Sequence, residues 1–214
     1  MALKLLVTGR EGQVAQALLA RQTDHLQIEA LGRPTLDLTY PSSIDLAIAA
    51  FRPDVIVNAA AYTAVDKAES EEETAFAVNA TGAGNVAAAA AAAGLPIIHI
   101  STDYVFPGDK ATPYVETDPT GPQGAYGRSK LAGEVAAAAA NPRHVILRTA
   151  WVYGPYGNNF LKTMLRLAAT RDTLRVVADQ HGTPTYAPDI AEGILAVAQR
   201  LVSDASAPSG VFHM

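Results

Sequence analysis

LLVTGREGQVAQALL, residues 5–19, passes from a short apolar run into a helical pattern through two glycines. The run ends at Thr8, Gly9 and Gly12 supply the turn, and the helix is expected over residues 12–21. Strand, glycine turn and helix in that order form the first unit of a parallel α/β sheet. The glycines there let the backbone approach a pyrophosphate whose charge sits at the helix N-terminus. Gly9 and Gly12 are therefore cofactor candidates, and Ala15 is small enough for close helix-to-strand packing. A tight turn that binds nothing is the alternative, and two glycines alone do not separate the readings.

The same alternation continues along the chain. Apolar runs predict strands at 4–8, 27–31, 55–58, 96–100 and 144–148, and alanine- and leucine-rich segments predict helices at 42–51, 69–93, 126–140, 160–169 and 189–201. The fold class is α/β, a Rossmann-type doubly wound parallel sheet with a smaller C-terminal substrate-binding part. Residues 1–150 are read as an NAD(P)-binding Rossmann domain, and 151–214 as the remaining Rossmann elements with part of the substrate-binding domain. The closing GVFHM reads as a strand with nothing after it, so the C-terminal part is expected to be incomplete.

With 214 residues, 49% of them hydrophobic, and a net charge of -5, the chain can bury one substantial core. Charge is spread rather than blocked, so neither a nucleic-acid surface nor an anionic membrane is indicated, and a small partner is expected. The absence of cysteine excludes disulfides and thiolate chemistry and fits a reducing compartment. No apolar segment approaches the roughly 20 residues of a membrane span, and the apolar start is too short for a signal peptide, which together read as cytoplasmic. His25, His99, His144, His181 and His213 lack metal-ligand spacing, so no metal is expected on them.

Further candidates sit where the predicted strands end. After the second strand, in EALGRP, Arg33 stands where an NAD site would offer a carboxylate. With Arg10 it suits a 2′-phosphate and favours NADP(H), unless both are solvated surface arginines. Asp37, in TLDLT, is either a ribose or adenine contact or a turn-capping residue. Asn58, Ala59, Ala60 and Ala61 leave room for a flat ligand against the third strand end, although packing alone explains alanines. PIIHISTDYVFPG, residues 96–108, sets Ser101, Thr102, Asp103 and Tyr104 directly after a strand fit for burial. Buried polar groups need partners, and at a carboxyl strand end that partner is often a ligand. YGRSK places Tyr126 and Lys130 on one helix face. An ordinary tyrosine has a pKa of about 10, and a neighbouring ammonium lowers it, so Lys130 is expected to activate Tyr126.

Together these residues resemble the extended short-chain dehydrogenase/reductase superfamily. Within it RPDVIVNAAAYTAVDKAE, STDYVFPG, YGRSKLAGE, RTAWVYG and GNNFLKTMLRLA resemble the dTDP-4-dehydrorhamnose reductase family. The resemblance implies a Rossmann domain with a smaller substrate domain. It implies NAD(P)H-dependent reduction of the 4-keto group of dTDP-4-dehydro-L-rhamnose to dTDP-L-rhamnose, the last step of dTDP-rhamnose biosynthesis. It places Gly12, Gln13 and Val14 at the cofactor pyrophosphate, Asp37 and Leu38 beside the adenosine, and Ala60, Ala61, Tyr62 and Thr63 along the cofactor groove. Thr102, Tyr126 and Lys130 match the catalytic set, with Tyr126 and Lys130 also meeting the cofactor. Thr102, Asp103, Tyr104 and Trp151 fall around the dTDP-linked 4-keto-6-deoxyhexose. Some members are magnesium-linked dimers through later acidic residues that do not map onto this chain, so Mg2+, a homodimer and the choice between NADPH and NADH stay open. Another nucleotide-sugar reductase or epimerase of the superfamily is an alternative. So is a non-catalytic subunit resembling the regulatory subunit of methionine adenosyltransferase, but a binding module needs no Thr102, Tyr126 and Lys130.

Overall fold

A computed structural model describes residues 2–214. The strands are β1 (Leu3–Thr8), β2 (Leu26–Leu31), β3 (Val55–Asn58), β4 (Ile97–Thr102), β5 (His144–Thr149), β6 (Val152–Tyr153), β7 (Thr185–Tyr186) and β8 (Gly210–His213). The helices are α1 (Gln13–Leu19), α2 (Pro41–Phe51), α3 (Val65–Ala68), α4 (Glu72–Phe76), α5 (Ala83–Ala92), α6 (Ala125–Ala140), α7 (Phe160–Ala168) and α8 (Ala187–Ser203). Six strands form one parallel sheet in the order β2-β1-β3-β4-β5-β8, while β6 and β7 pair separately. The chain leaves β1 for β2 on one side and crosses back to β3 on the other. Ligands bind outside the carboxyl ends at such a reversal.

Both sheet faces are covered, which is why the strands read as continuous apolar runs. Leu5 and Val7 of β1 point to one core, with Val14 and Leu18 of α1 and Ile190 and Ile194 of α8. Leu6 points to the other, with Ile44 of α2, Val86 and Ala90 of α5 and Ala137 of α6. Pro41 opens α2 at a position where its missing N–H costs nothing. The first turn of α6 is tied down at long range, since the Ala125 N–H donates to Glu69 Oε1 at 2.7 Å.

The predicted helix over 69–93 is divided. Between α4 and α5 lies a π-helical stretch, Ala77–Gly82, in which Asn79 turns inward. There its side chain accepts from the Tyr62 N–H and donates to the Tyr62 carbonyl and to Ser129 Oγ. Gly133 of α6 lies directly against the Asn79 carbonyl, an approach no side chain would permit. β4 runs two residues past the expected end, and α3, β6 and β7 lie outside the predicted elements. Residues 151–214 add β8 to the sheet and α8 to one of its faces, and also contain β6, α7 and β7. Among the described residues no helix is long and apolar enough to cross a membrane.

Candidate active site

A cleft of about 820 Å³ opens at the carboxyl ends of β1 and β3, walled by the Gly9–Gly12 turn, residues 31–39, Ala59 to Ala61, Thr63 and the start of the π-helical stretch. The turn is drawn tight by Gly9 N–H to the Leu31 carbonyl and Gly12 N–H to the Gly9 carbonyl, each at 2.8 Å. Gly9 has φ +84°, and a Cβ there would sit 2.8 Å from Ala60 Cα. Only glycine meets both conditions, so bare backbone faces the cleft. A dinucleotide fits this cradle, with Arg10 and Arg33 both in the wall.

A row of buried polar side chains stiffens the floor. Thr8 Oγ1 accepts from the Ala60 N–H and donates to Asn58 Oδ1, and Asn58 Nδ2 meets His99 Nδ1 at 3.0 Å. Burial and the nearby Lys130 charge push His99 well below the usual imidazole range, so its ring stays neutral. Asp37 is tied into a turn, accepting from the Thr39 N–H and hydroxyl, and these bonds hold its carboxyl below the ordinary value. Leu38 is buried, and its carbonyl accepts from Asn85. The Tyr62 hydroxyl donates to Glu71 at 2.7 Å.

Val14 is packed into the core, and Gln13 turns its side chain away from the cleft wall. Gln13 Nε2 donates to the Val152 carbonyl, and Gln13 Oε1 accepts from Asn159 Nδ2. For these two residues only the backbone is left to meet a pyrophosphate. Asn159 also caps α7 by accepting from the Lys162 N–H, so Gln13 links the glycine turn to the segment leading into that helix.

The structure brings Thr102, Asp103, Tyr104, Tyr126 and Lys130 together where β4 meets α6. Thr102 Oγ1 donates to Asp103 Oδ1 at 3.1 Å and accepts from the Tyr104 N–H. The Tyr104 and Tyr126 rings meet edge to face, 5.6 Å apart at 76°. Burial raises the Asp103 carboxyl, with the Thr102 hydroxyl and backbone N–H groups opposing. The expected activation of Tyr126 by Lys130 is not what the geometry gives. Burial pushes the Tyr126 phenol up to about 12, opposed by a bond with Thr102 and reinforced by Asp103 and Tyr104. The Lys130 ammonium is instead committed to the Ile100 carbonyl at 2.6 Å, and burial lowers it to about 8. Trp151 stands past the end of β5, 46% exposed, with φ 44°, a strained backbone for a bulky residue. Gly182 lies against the indole, where a Cβ would come within 2.5 Å of it.

Thr8, Asn79, Ser129, Glu69 and Glu134 shape this site without having been singled out from sequence. Thr81 and Asn85 share the segment with Asn79, so polarity alone did not mark it.

The family model for the RmlD substrate binding domain matches residues 3–214. A dTDP-4-dehydrorhamnose reductase of Sinorhizobium fredii is 55% identical over 213 residues, 99% of this chain and 72% of that protein. The crystal structure of dTDP-4-dehydrorhamnose reductase from Bacillus anthracis in complex with NADP superposes with a TM-score of 0.93 at 38% identity, covering 100% of this chain and 74% of that one. A Clostridium acetobutylicum structure of a reductase of the same name gives 0.92 at 41%, with 99% and 74% covered. The chain belongs to the RmlD substrate binding domain family, that of the dTDP-4-dehydrorhamnose reductases.

Proposed function

We propose that the chain reduces the 4-keto group of dTDP-4-dehydro-L-rhamnose to give dTDP-L-rhamnose, with NADPH as the preferred reductant and the cytoplasm as its setting. The observation that carries this reading is the placement of Tyr126 against Thr102 at the end of β4, beside a glycine-walled cleft of dinucleotide size. The reduced nicotinamide supplies a hydride when bound. Thr102 offers its hydroxyl to the ketone oxygen, Tyr126 delivers the proton as the alkoxide forms, and Lys130 contributes positive charge beside both. A phenol raised to about 12 keeps its proton at neutral pH, which suits a donor in the reductive direction. Asp103, Tyr104 and Trp151 orient the sugar, and Ala60, Ala61 and Thr63 line the dinucleotide groove. The direct test is loss of nicotinamide absorbance with dTDP-4-dehydrorhamnose against a panel of other dTDP-4-keto sugars. Equal rates across the panel would remove the substrate assignment.

Arg33→Ala is expected to raise the KM for NADPH roughly 10- to 100-fold, the worth of a charged hydrogen bond, and to leave that for NADH nearly unchanged. Equal effects on both cofactors would count against the 2′-phosphate assignment. Trp151→Ala is expected to raise the sugar KM about tenfold through lost ring contact, with NADPH affinity preserved. Titrating each ligand separately distinguishes this from general destabilisation.

A further inference from the structure

Tyr126, Lys130 and Glu134 follow at four-residue steps and share one face of α6. Each meets one of three consecutive residues at the end of β4. Tyr126 is set beside Thr102, Lys130 donates to the Ile100 carbonyl, and Glu134 Oε1 accepts from Ser101 Oγ at 2.5 Å. Arg148, opposite Ser101 in the β4–β5 register, donates twice to Glu134, at 2.9 and 2.6 Å. The two charged side chains are only 6% and 4% exposed, and the guanidinium lies over the Phe106 ring. A buried ion pair of this kind is weak evidence for stability, because desolvation offsets much of the attraction. Its place in line with the catalytic face indicates another role.

We infer that Glu134 is a positioning residue for the reaction: bonded at once to β4 and β5, it fixes the register of α6 and holds Lys130 and Tyr126 against the end of β4. This rests on the reductase reading for what Lys130 and Tyr126 do. Glu134 is also the carboxylate neighbour of the Lys130 ammonium, raising a pKa that burial lowers to about 8. The other ionisable groups around α6 are Tyr126 and Arg128 on the helix itself, His99 from β4, Arg148 from β5, Asp103 and Tyr104 from the turn after β4, and Glu69, which accepts from the Ala125 N–H. Exposed Asp66, Lys67, Glu72 and Glu73 come from α3 and α4. α5 and the π-helical stretch bring no ionisable side chain.

Glu134→Gln keeps the shape and removes the charge. Turnover is expected to fall about 10- to 100-fold, the cost of misplacing a catalytic group. The alkaline limb of the pH profile should move to lower pH, because a Lys130 without its carboxylate loses its proton earlier. Leaving Arg148 buried and unpaired can itself unfold the chain, so Glu134→Gln combined with Arg148→Met removes both charges. That variant should fold, remain slow and keep the displaced limb. If it folds and works at the wild-type rate with the wild-type limb, the inference is overturned. The ¹³Cε resonance of Lys130 in the cofactor-free protein, assigned by its loss in Lys130→Met, is a readout independent of turnover. It should titrate at lower pH in the double variant, and an unmoved midpoint also overturns the inference. A wild-type protein that fails to reduce the sugar would sink the reductase reading while leaving this titration interpretable.

Discussion

Tyr126→Phe is expected to lower turnover roughly 10²- to 10⁴-fold, the range for losing a positioned general acid, with NADPH affinity close to wild type. The substitution removes one oxygen and keeps the ring that packs edge-on against Tyr104. Since the phenol is pushed up to about 12, the wild-type side chain is neutral across the working range and carries a proton to give. An alkaline limb in the pH profile should therefore come from Lys130 rather than Tyr126. A Tyr126→Phe protein that binds NADPH and still reduces the sugar near the wild-type rate would shift the proton donor to Asp103, whose carboxyl burial also raises.

Lys130→Met should lower turnover on a similar scale and, unlike Tyr126→Phe, weaken NADPH binding roughly tenfold, as expected for a lost charged hydrogen bond. Its effect on stability should have the opposite sign. The folded protein binds the Lys130 proton less tightly than the unfolded chain, since burial lowers the pKa from 10.5 to about 8. Holding the ammonium inside therefore destabilises the fold below about pH 8, and that penalty fades as pH rises towards the unfolded value. Lys130→Met should unfold at a higher temperature than wild type at pH 7, with the difference shrinking by pH 10. A lower melting temperature at pH 7 would show that the bond to the Ile100 carbonyl outweighs the burial of charge.

The fold was legible where burial is uniform. VIVN of β3 is buried along its whole length, so its apolar run marked the strand and its last residue alike. The end of β4 was not, because Ser101 and Thr102 look like a loop yet stay paired to Arg148 and Thr149. The π-helical stretch was hidden for a different reason. Its cause is the set of bonds Asn79 makes to Tyr62 and Ser129, 17 and 50 residues away, and helical periodicity carries no trace of them. The candidate catalytic set could be gathered from strand ends and the YxxxK spacing, but its electrostatics could not. Spacing puts Lys130 on the face of Tyr126; only the depth of both side chains shows that burial governs them. Gln13 likewise sits in the glycine turn by sequence, while its amide serves Val152 and Asn159.

Among the described residues the main sheet contains no hairpin. Leu5 pairs with Val55, Ile97 with His144 and Val145 with Gly210, so every neighbour is reached across a long crossover. The entropy of closing such loops must be met before any ladder forms, which makes all-parallel pairing slow. Refolding from denaturant should therefore take milliseconds to seconds rather than microseconds. During synthesis β8 joins last of the named strands, and until it docks β5 presents an open edge of the kind that recruits other chains. Aggregation on refolding should therefore rise with protein concentration and be relieved by chaperones that cover strand edges.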